Sequence, residues 1–478
     1  MEYEIIIGIE IHAELATESK IFCGCATAFG AEPNTQCCPI CLGMPGTLPV
    51  LNKKAVEYAV KAGLAMNCEI SRFSKQDRKN YFYPDLPKAY QISQYDLPLC
   101  QNGQVEIHQG EISKTISITR IHIEEDAGKL LHGASEASTL IDYNRCGVPL
   151  IEIVSEPDMR SPEEAKAFVE AVKDILKYLE VSDCKMQEGS LRADINLSVR
   201  PIGSTVLGTR TEMKNLNSFR AIQRASEYEA SRQISILENG GTVEQETRRW
   251  DDTTGVSHTM RSKEDAKDYR YFPEPDLVPI IISNEWLEEI KASLPELPDA
   301  RRRRYIKEYG LPEHDAWLIT SARELSDFFE AAIKTTSNIK AVSNWIMGDI
   351  MRLLNEKQLG IGEIPFPGEY LASLVELIDK GIINNTTAKK VLEEMFTSGK
   401  VPQKIVKENK LEQVDDAQAI ELAVQKVLSA NTKTITDYKN GKEKVLGYLV
   451  GQVMREMDGR ANPQSMKSLL KQKIDFKN

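Results

Sequence analysis

Apolar and polar residues alternate with a period of two in several segments of the first part of the chain. The clearest are EIIIGIEIHAEL, ISITRIHIEED, GVPLIEIV and SLRADINLSVR, all rich in β-branched residues. This alternation is typical of strands with one buried face. Proline and glycine separate these segments, as in CPICLGMPGTLP. Because the strand patterns follow one another rather than alternating regularly with helices, we predict an α+β domain built on an antiparallel sheet over residues 1–293.

The spacing of apolar residues changes to a helical period after ELPDARRRRYIKEYG. Segments such as GEYLASLVELIDKG and TTAKKVLEEMFTSGK carry apolar residues at i, i+3 and i+4, the pattern of amphipathic helices. Gly381 and Gly399 stand where two of these helices are expected to end. We therefore predict an all-α helical domain over residues 294–405 and a small helical tail over residues 406–478.

The composition is that of an acidic globular protein. The 478 residues include 60 Lys+Arg and 71 Asp+Glu, a net charge of −11, and 41% are hydrophobic. These values exclude a disordered or fibrous chain. The sequence has no apolar run of about 18 residues, and its start resembles neither a signal peptide nor a transit peptide. We expect a cytoplasmic protein with no membrane segment.

Charge is unevenly distributed along the chain. Residues 401–478 contain 14 Lys+Arg and 10 Asp+Glu, a net of +4, which leaves −15 on the preceding residues. A basic tail on an acidic body indicates that the tail contacts a polyanion. A solvated helical face accounts equally well for the tail charge.

The cysteines are arranged as a metal site would require. Nine are present, and five of them fall between Cys23 and Cys41. The odd number and the clustering argue against a disulfide framework and for a reducing compartment. Cys23 and Cys25, followed by Cys38 and Cys41, supply four thiolates for a closed tetrahedral Zn²⁺ site, which would be structural. The alternative is four independent small core residues.

Acidic residues and a histidine recur on the predicted strands. Glu10 and His12 share one strand face and can share a metal, although a solvated face would carry the same residues. Several carboxylates on neighbouring strands are what Mg²⁺ requires when it bridges nucleotide phosphates. The alternative for each glutamate is a structural ion pair with Arg120 or Arg145. The further candidate carboxylates are Glu124, Glu125, Asp126 and Glu152.

A third pattern lies in SLRADINLSVR. Arg192, Asp194 and Asn196 fall on the polar face of this predicted strand. Such a row can clamp phosphate and position a metal ligand. An ordinary solvent face is an equally open interpretation.

Absent motifs narrow the function classes. The sequence contains no GxxxxGK[ST] loop, no GxGxxG after a strand, no HExxH and no GxSxG. P-loop, Rossmann, zincin and α/β-hydrolase interpretations are therefore excluded. The sequence also lacks the glycine-flanked serine cluster of amidases. If the protein consumes glutamine nitrogen, we expect the glutamine-cleaving nucleophile on another chain.

A set of segments, in order, carries a resemblance to a known family. They are GIEIHAEL, FCGCATAFG, CCPICLGMPGTLPVLN, KNYFYPDLPKAYQISQYDLPL, IHIEEDAGK, DYNRCGVPLIEIVSEPD, SLRADINLSVR, EMKNLNSFRAI and RYFPEPDL. Together they resemble the B subunits of glutamyl-/aspartyl-tRNA amidotransferases. The resemblance is very specific over residues 8–277, and in the helical part it rests on order and pattern. The chain has no room for the large inserted domain of the archaeal E-subunit relatives, so the bacterial or organellar B form is the better match, and the lack of a presequence favours the bacterial one.

The resemblance implies a fold and a reaction. The N-terminal domain would be a cradle related to glutamine synthetase and guanidino kinases, followed by a helical domain and a YqeY-like tail that binds tRNA. ATP would phosphorylate the side-chain carboxylate of misacylated Glu-tRNA(Gln) or Asp-tRNA(Asn), and ammonia would displace the phosphate. Such an enzyme is a carbon–nitrogen ligase with glutamine as the amide-nitrogen donor. It would form a heterotrimer with an amidase-like A subunit and a small C subunit.

The resemblance also implies roles for individual residues. Glu10, His12, Glu125 and Glu152 would form the catalytic Mg²⁺ shell, with Glu124 beside it. Arg192 and Asp194 would bind ATP or metal. Lys79, Tyr81 and Lys88 could reach phosphates or simply order a loop. The four cysteines match zinc-bearing members of the family. The competing hypothesis is a non-catalytic, zinc-containing scaffold that binds tRNA and whose acidic strands hold only structural ion pairs.

Overall fold

The chain forms two compact units. The computed structural model describes residues 2–110, 112–132, 138–262, 268–413, 417–439, 445–457 and 463–475. The first unit is Met1–Leu297 and the second is Pro298–Asn478. In the described part of the chain, every strand lies in the first unit, and the second unit is helical. No described helix is both long enough and apolar enough to span a membrane.

In its described residues, the first unit combines one large sheet and three small ones with four α-helices. Its strands are β1 (Tyr3–Glu14), β2 (Glu69–Ile70), β3 (Phe73–Ser74), β4 (Asp77–Asn80), β5 (Tyr90–Ser93), β6 (Cys100–Gln109), β7 (Ile112–Glu125), β8 (Lys129–His132), β9 (Thr139–Asp142), β10 (Pro149–Ser155), β11 (Leu191–Pro201), β12 (Thr211–Leu216), β13 (Glu246–Asp251), β14 (Val256–Ser262), β15 (Phe272–Pro273) and β16 (Ile280–Ile281). Its helices are α1 (Lys53–Ala65), α2 (Pro162–Tyr178), α3 (Phe219–Glu238) and α4 (Asn284–Ala292).

The large sheet has β1 at its centre. Among the described residues its strand order is β14-β13-β12-β11-β1-β10-β7-β6-β2. The predicted antiparallel sheet is correct for every neighbouring pair except β12 and β13, which run parallel. The sheet is therefore mixed. The parallel pair arises because α3 carries the chain back across the sheet between these strands, and parallel neighbours require such a crossover.

One face of the sheet is apolar and covered. Ile7, Ile9 and Ile11 of β1 are almost completely buried and belong to the hydrophobic core of the unit. The same core contains aliphatic residues of β7, β10 and β11 and the inward faces of α1, α2 and α3. Because strand side chains alternate, burying these isoleucines places the intervening polar residues together on the opposite face.

The second unit contains the remaining helices. They are α5 (Pro298–Tyr309), α6 (Glu313–Ile319), α7 (Arg323–Ile333), α8 (Ile339–Trp345), α9 (Met351–Lys357), α10 (Gly368–Asp379), α11 (Asn385–Ser398), α12 (Pro402–Glu408), α13 (Ala417–Ala430), α14 (Thr432–Lys439), α15 (Val445–Glu456) and α16 (Pro463–Asp475). A π-helical turn joins α8 to α9. Gly399 ends α11 with φ of 65°, a conformation that favours glycine, as the sequence predicted.

The helical unit has two hydrophobic clusters. One contains buried residues from Tyr305 to Val406, and the other contains buried residues from Ile420 to Ile474. The second cluster is formed by α13, α15 and α16. The described residues of the tail therefore have a small core of their own.

Candidate active site

A row of four polar side chains crosses the polar face of the sheet. Strand pairing places Arg192 of β11 opposite His12 of β1, and His12 opposite Glu152 of β10. Glu152 in turn lies opposite His122 of β7. Four strands from distant parts of the chain thus bring two imidazoles, a carboxylate and a guanidinium into one line.

The centre of this row is a compact group of two imidazoles and two carboxylates. His12 Nε2 lies 3.1 Å from Glu152 Oε2 and 3.6 Å from Glu124 Oε1. His122 Nε2 lies 3.6 Å from Glu124 Oε2 and 3.6 Å from Glu152 Oε2. We call these four residues the His–Glu cluster. Ligand atoms of His12, Glu124 and Glu152 lie within 4.8 Å of one another, so these three can hold a metal ion.

Electrostatics favour the charged forms within the His–Glu cluster. Burial by itself raises the pKa of Glu124 and of Glu152, but the two imidazoles outweigh it and lower both values. Burial likewise lowers the pKa of His12, and the hydrogen bond and charge of Glu152 outweigh it, raising the pKa to about 9. The carboxylates are therefore ionised and His12 is protonated near neutral pH until another cation replaces its proton.

A second acidic group lies beside the first. Glu10, Asp194 and Glu212 of β12 also have carboxylate oxygens within 4.8 Å of one another. Lys214 Nζ neutralises part of this charge, lying 2.5 Å from Asp194 and 2.9 Å from Glu212. Burial is the largest cause that raises the pKa of Glu10, followed by the charges of Glu152 and Asp194. The group already holds one ammonium ion, supplied by the chain itself.

Cations line the cleft above these carboxylates. The cleft has a volume of about 630 Å³, within the ~300–1,000 Å³ of typical small-molecule sites. Besides His12, the lysines and arginines that line it are Lys79, Arg192, Lys214 and Arg249. Lys79 Nζ lies 4.9 Å from the centre of the Tyr269 ring, and Arg192 donates to Asp126 at 2.6 Å. A surface that alternates positive and negative groups suits an anionic ligand bound through a metal ion.

The structure places Glu125 outside the His–Glu cluster. Its neighbour Glu124 faces the cleft, whereas Glu125 lies on the other face of β7 with Ile123. Lys88 Nζ lies 2.6 Å from Glu125, and the Ile92 N–H donates to it at 2.8 Å. The expectation that Glu125 joins the metal shell and Glu124 stands beside it is therefore corrected. The two residues exchange places because adjacent strand residues point to opposite faces.

The other predicted nucleotide-binding residues separate into two groups. Lys79 and Tyr81 line the cleft, and Arg192 and Asp194 stand on its floor. Lys88 is held on the opposite side by Glu125 and contacts a different, smaller cavity. Arg120 Nη2 approaches Glu152 at 3.8 Å, and Arg145 Nε approaches Asp126 at 3.6 Å. Of the two arginines considered as partners of the glutamates, Arg120 pairs with Glu152, but the imidazoles lie closer to that carboxylate, and Arg145 pairs with Asp126.

Three residues in or beside the cleft are missing from the candidates that the sequence predicted. His122 lies two positions before Glu124 on β7, so the period of two already placed it on the same face. Glu212 and Lys214 lie on β12. Their sequence, TEMKNL, alternates polar and apolar residues but is too short to be assigned to a face without the pairing of β12 with β11.

The cysteine segment forms a separate cluster. The Sγ atoms of Cys23, Cys25, Cys38 and Cys41 lie within 4.8 Å of one another. The Cys38 N–H donates to Cys41 Sγ at 3.1 Å. Cys37 lies outside this group, 3.8 Å from the Asn144 side chain. The donors are suited to a soft tetrahedral metal ion.

Charge at the cysteine cluster favours a thiolate. Hydrogen bonding with Cys23 is the largest cause that lowers the pKa of Cys41 to about 4, and Lys20 adds to the effect. Lys20 is 1% exposed, and its Nζ lies 3.8 Å from Cys41 Sγ. The same pairing raises the pKa of Cys23, which keeps its proton. A buried ammonium ion beside the sulfur atoms offsets the negative charge that metal-binding thiolates carry.

Comparison with known families decides the relationship of this chain. A family model described as the GatB/GatE catalytic domain matches residues 5–288, and a second, described as the GatB domain, matches residues 327–474. The first match includes the whole cleft and the cysteine cluster. The chain belongs to the B-subunit family of aspartyl/glutamyl-tRNA(Asn/Gln) amidotransferases.

Relatives in this B-subunit family match over nearly the full length. The B subunit of the aspartyl/glutamyl-tRNA(Asn/Gln) amidotransferase from Caldicellulosiruptor bescii is 63% identical over 99% of this chain and 100% of its own. The corresponding protein of Thermoanaerobacter sp. is 62% identical over 99% of this chain and 100% of its own. That of Carboxydothermus hydrogenoformans is 58% identical over 99% of each chain.

Membership of the B-subunit family confirms the resemblance found in the sequence. It also confirms the enzyme class, a carbon–nitrogen ligase that takes its amide nitrogen from glutamine. The chain is thus one subunit of a tRNA-dependent amidotransferase that serves protein synthesis. The competing hypothesis of a non-catalytic scaffold is not favoured, because the matching model describes a catalytic domain.

Proposed function

We propose that the cleft of the first unit phosphorylates the side-chain carboxylate of Glu-tRNA(Gln) or Asp-tRNA(Asn) and then converts it to the amide. A carboxylate oxygen attacks the γ-phosphorus of ATP, the bond to the bridging oxygen breaks, and ADP leaves. Ammonia then attacks the acyl carbon, loses a proton, and displaces inorganic phosphate. Activation by ATP is required because a carboxylate is a poor electrophile.

The observation that carries this proposal is the His–Glu cluster, two members of which, His12 and Glu124, face a cleft that also carries lysine and arginine side chains. Phosphoryl transfer to a carboxylate brings together three anionic groups, which are the attacking carboxylate, the γ-phosphoryl group and the leaving ADP. The reaction therefore depends mainly on neutralising their charge. Lys79, Arg192 and Arg249 lie on the cleft where they can contact phosphate oxygens. A scaffold whose acidic strands held only structural ion pairs would not require a cleft with cationic side chains beside two nearly buried carboxylates.

The donor set of the His–Glu cluster fits Mg²⁺. Glu124 and Glu152 are ionised and nearly buried, and His12 Nε2 faces both carboxylates. Buried carboxylates close together repel each other unless a cation offsets their charge. When bound, Mg²⁺ would neutralise phosphate charge during transfer. We assign His12, Glu124 and Glu152 to this ion. We place Glu10 and Asp194 in the adjacent group, where they bind or orient the ligand together with Lys214.

The cysteine cluster fits a structural Zn²⁺. Four sulfur donors within 4.8 Å satisfy tetrahedral coordination and leave no open position for catalysis. The buried Lys20 is what four sulfur ligands would require as a counter-charge. We therefore propose that zinc stabilises the segment of residues 23–41 and takes no part in the reaction.

The partners follow from what this chain lacks and from its tail. The sequence contains no amidase-type serine cluster, so we propose that an amidase-like A subunit releases ammonia from glutamine and that a small C subunit completes a heterotrimer. The basic tail, with its own core of α13, α15 and α16, would contact the tRNA backbone. We also propose that the cradle is related in fold to glutamine synthetase and guanidino kinases, and that the tail is related to YqeY.

Trapping the acyl phosphate tests the proposed function. The assembled complex is incubated with Glu-tRNA(Gln), ATP and hydroxylamine, without an ammonia donor. The hydroxamate formed on the glutamate side chain in the presence of ATP is then measured. We expect Glu152→Gln to lower hydroxamate formation about 100-fold or more at unchanged tRNA affinity. Glu69→Gln on β2, an exposed residue at the edge of the same sheet, is the matched control. Equal hydroxamate from both variants would place the chemistry outside this cleft.

A further inference from the structure

His122 occupies a special position in the His–Glu cluster. The residue is 4% exposed, and its Nε2 lies at the same distance, 3.6 Å, from one oxygen of Glu124 and one oxygen of Glu152. At that distance, slightly longer than a direct hydrogen bond, a proton on Nε2 can be directed at either oxygen. Its Nδ1 is buried and has no hydrogen-bond partner among the described residues. All the polar contacts of the ring are thus directed at the two carboxylates.

His122 and His12 face different oxygens of Glu124 but the same oxygen of Glu152. In Glu124, Oε2 faces His122 and also accepts a hydrogen bond from Ser93 at 3.0 Å, whereas Oε1 faces His12. Oε2 therefore holds the Glu124 carboxylate in place, and Oε1 is the oxygen that can bind a cation beside His12. In Glu152, Oε2 lies between the two imidazoles.

The two imidazoles of the cluster are not equivalent. His12 Nε2 is the nitrogen that faces both carboxylates, so it is the atom that a cation between Glu124 and Glu152 would take from His12. Once His12 Nε2 is occupied, its 3.1 Å contact with Glu152 can no longer hold that carboxylate in place. Of the two imidazoles, only His122 then still bridges Glu124 and Glu152.

We propose that His122 is a positioning residue, which fixes the carboxylates of Glu124 and Glu152 at the spacing that a divalent cation requires. The inference rests on the proposed metal site of His12, Glu124 and Glu152. His122 acts through the ligands and touches neither the cation nor the substrate. Residues that orient metal ligands in this way typically contribute about 10- to 100-fold to metal affinity.

Two amide variants separate positioning from simple filling of space. In His122→Gln the side-chain nitrogen reaches about as far as Nε2, whereas in His122→Asn it stops at the level of Nδ1. Positioning by Nε2 predicts that Gln preserves most of the function and that Asn does not. His122→Leu fills the space with no donor. His108→Asn on β6, an exposed residue, is the matched control.

The experiment measures Mn²⁺ binding to the assembled complex by electron paramagnetic resonance, without nucleotide or tRNA. We expect the Mn²⁺ dissociation constant to rise about tenfold or more in His122→Leu and His122→Asn, and much less in His122→Gln. The metal concentration that gives half-maximal hydroxamate formation should shift in the same order. Thermal unfolding of each variant shows whether it is folded, and His122→Asn replaces His122→Leu if the latter is not.

The outcomes distinguish this inference from the function on which it rests. If Mn²⁺ binding is weaker in Glu152→Gln but unchanged in folded His122→Leu, the positioning role of His122 is overturned and the metal site stands. Unchanged binding in Glu152→Gln would remove the metal site itself, and the role of His122 with it. Equal losses in His122→Gln and His122→Asn would also overturn positioning by Nε2.

Discussion

Glu124 and Glu125 are adjacent on β7, yet their carboxylates serve opposite faces of the sheet. Glu124 contacts His12, His122 and Ser93 on the cleft side, and Glu125 is paired with Lys88 at 2.6 Å on the other. Side chains separated by one backbone step thus lie in two environments, one suited to a metal ion and one already neutralised by an ammonium ion.

We expect the variants Glu124→Gln and Glu125→Gln to differ in activity and in stability. Glu124→Gln removes a charge from the cleft and should lower hydroxamate formation about 100-fold or more. Its loss of stability should be smaller than that of Glu125→Gln, because His12 and His122 keep Glu152 as a carboxylate partner. Glu125→Gln leaves the buried ammonium of Lys88 unpaired and should lower the free energy of unfolding by about 3–5 kcal/mol. The measurements are hydroxamate formation in the complex and urea unfolding of each variant.

A double variant checks the second half of this prediction. Replacing both partners, in Glu125→Gln with Lys88→Met, removes the unpaired charge and should recover much of the lost stability. A Glu125→Gln protein that is as stable as wild type but inactive would show that Glu125 acts in the chemistry after all.

The cysteine cluster predicts one zinc ion per chain. Cys38→Ala removes one of the four donors and should reduce the bound zinc to well below one equivalent, with a lower midpoint of thermal unfolding. Cys37→Ala changes the neighbouring cysteine, whose sulfur lies outside the cluster, and should retain the zinc. Elemental analysis of freshly purified protein makes the comparison. Wild-type protein with substoichiometric zinc would contradict the assignment.

The helical unit should show a defined dependence of stability on pH. Burial raises the pKa of Glu330, but hydrogen bonds from Arg304 and Tyr305 outweigh it and lower the pKa below the ordinary value of 4.5. A lowered pKa in the folded state stabilises the fold above pH 4.5, and this contribution is lost as pH falls through the folded-state value. The stability difference between wild type and Glu330→Gln should therefore be largest above pH 4.5.

The control for this pH dependence lies on the same helix. Glu324→Gln changes a carboxylate in the first turn of α7, without the contacts to Arg304 and Tyr305. Its stability difference from wild type should vary less with pH. A Glu330→Gln difference that stays constant from pH 7 down to pH 3 would contradict the ion-pair explanation.

The tail is predicted to supply tRNA affinity. Removing residues 414–478, which follow α12 and leave the cluster of Tyr305 to Val406 complete, takes away a separate hydrophobic cluster and a segment with more basic than acidic residues. The truncated complex should bind tRNA more weakly, and the dependence of its affinity on salt concentration should be shallower, because fewer phosphates are neutralised. Filter binding at several salt concentrations measures both. Unchanged affinity would make the tail a structural cap.

Local patterns along the sequence were sufficient for part of the site. The period of two placed Glu10 and His12 on the polar face of β1, and the spacing of the cysteines grouped four of them. The same period would have chosen Glu124 over Glu125, because Ile121 and Ile123 mark the buried face of β7. In a run of three acids at a strand end, the acid that faces the cleft is decided by the alternation of side chains along the strand and not by the residue type.

Other features depend on pairing between distant strands and are invisible in local patterns. Glu152 meets His122 because β10 pairs with β7, and Arg192 meets His12 because β11 pairs with β1. Strand register is set by packing of the whole apolar face, which no single segment specifies. The parallel pairing of β12 with β13 likewise follows from where α3 returns the chain.

The central place of β1 has a consequence for biosynthesis. Tyr3–Glu14 is synthesised before its neighbours β10 and β11, which end only at Ser155 and Pro201. At about 5–20 residues per second, the strand waits on the order of ten seconds or longer for its partners. During that interval a segment rich in isoleucine is unpaired and prone to aggregation. Substitutions that weaken β10 or β11 should therefore reduce the yield of folded protein before they reduce the activity of the molecules that fold.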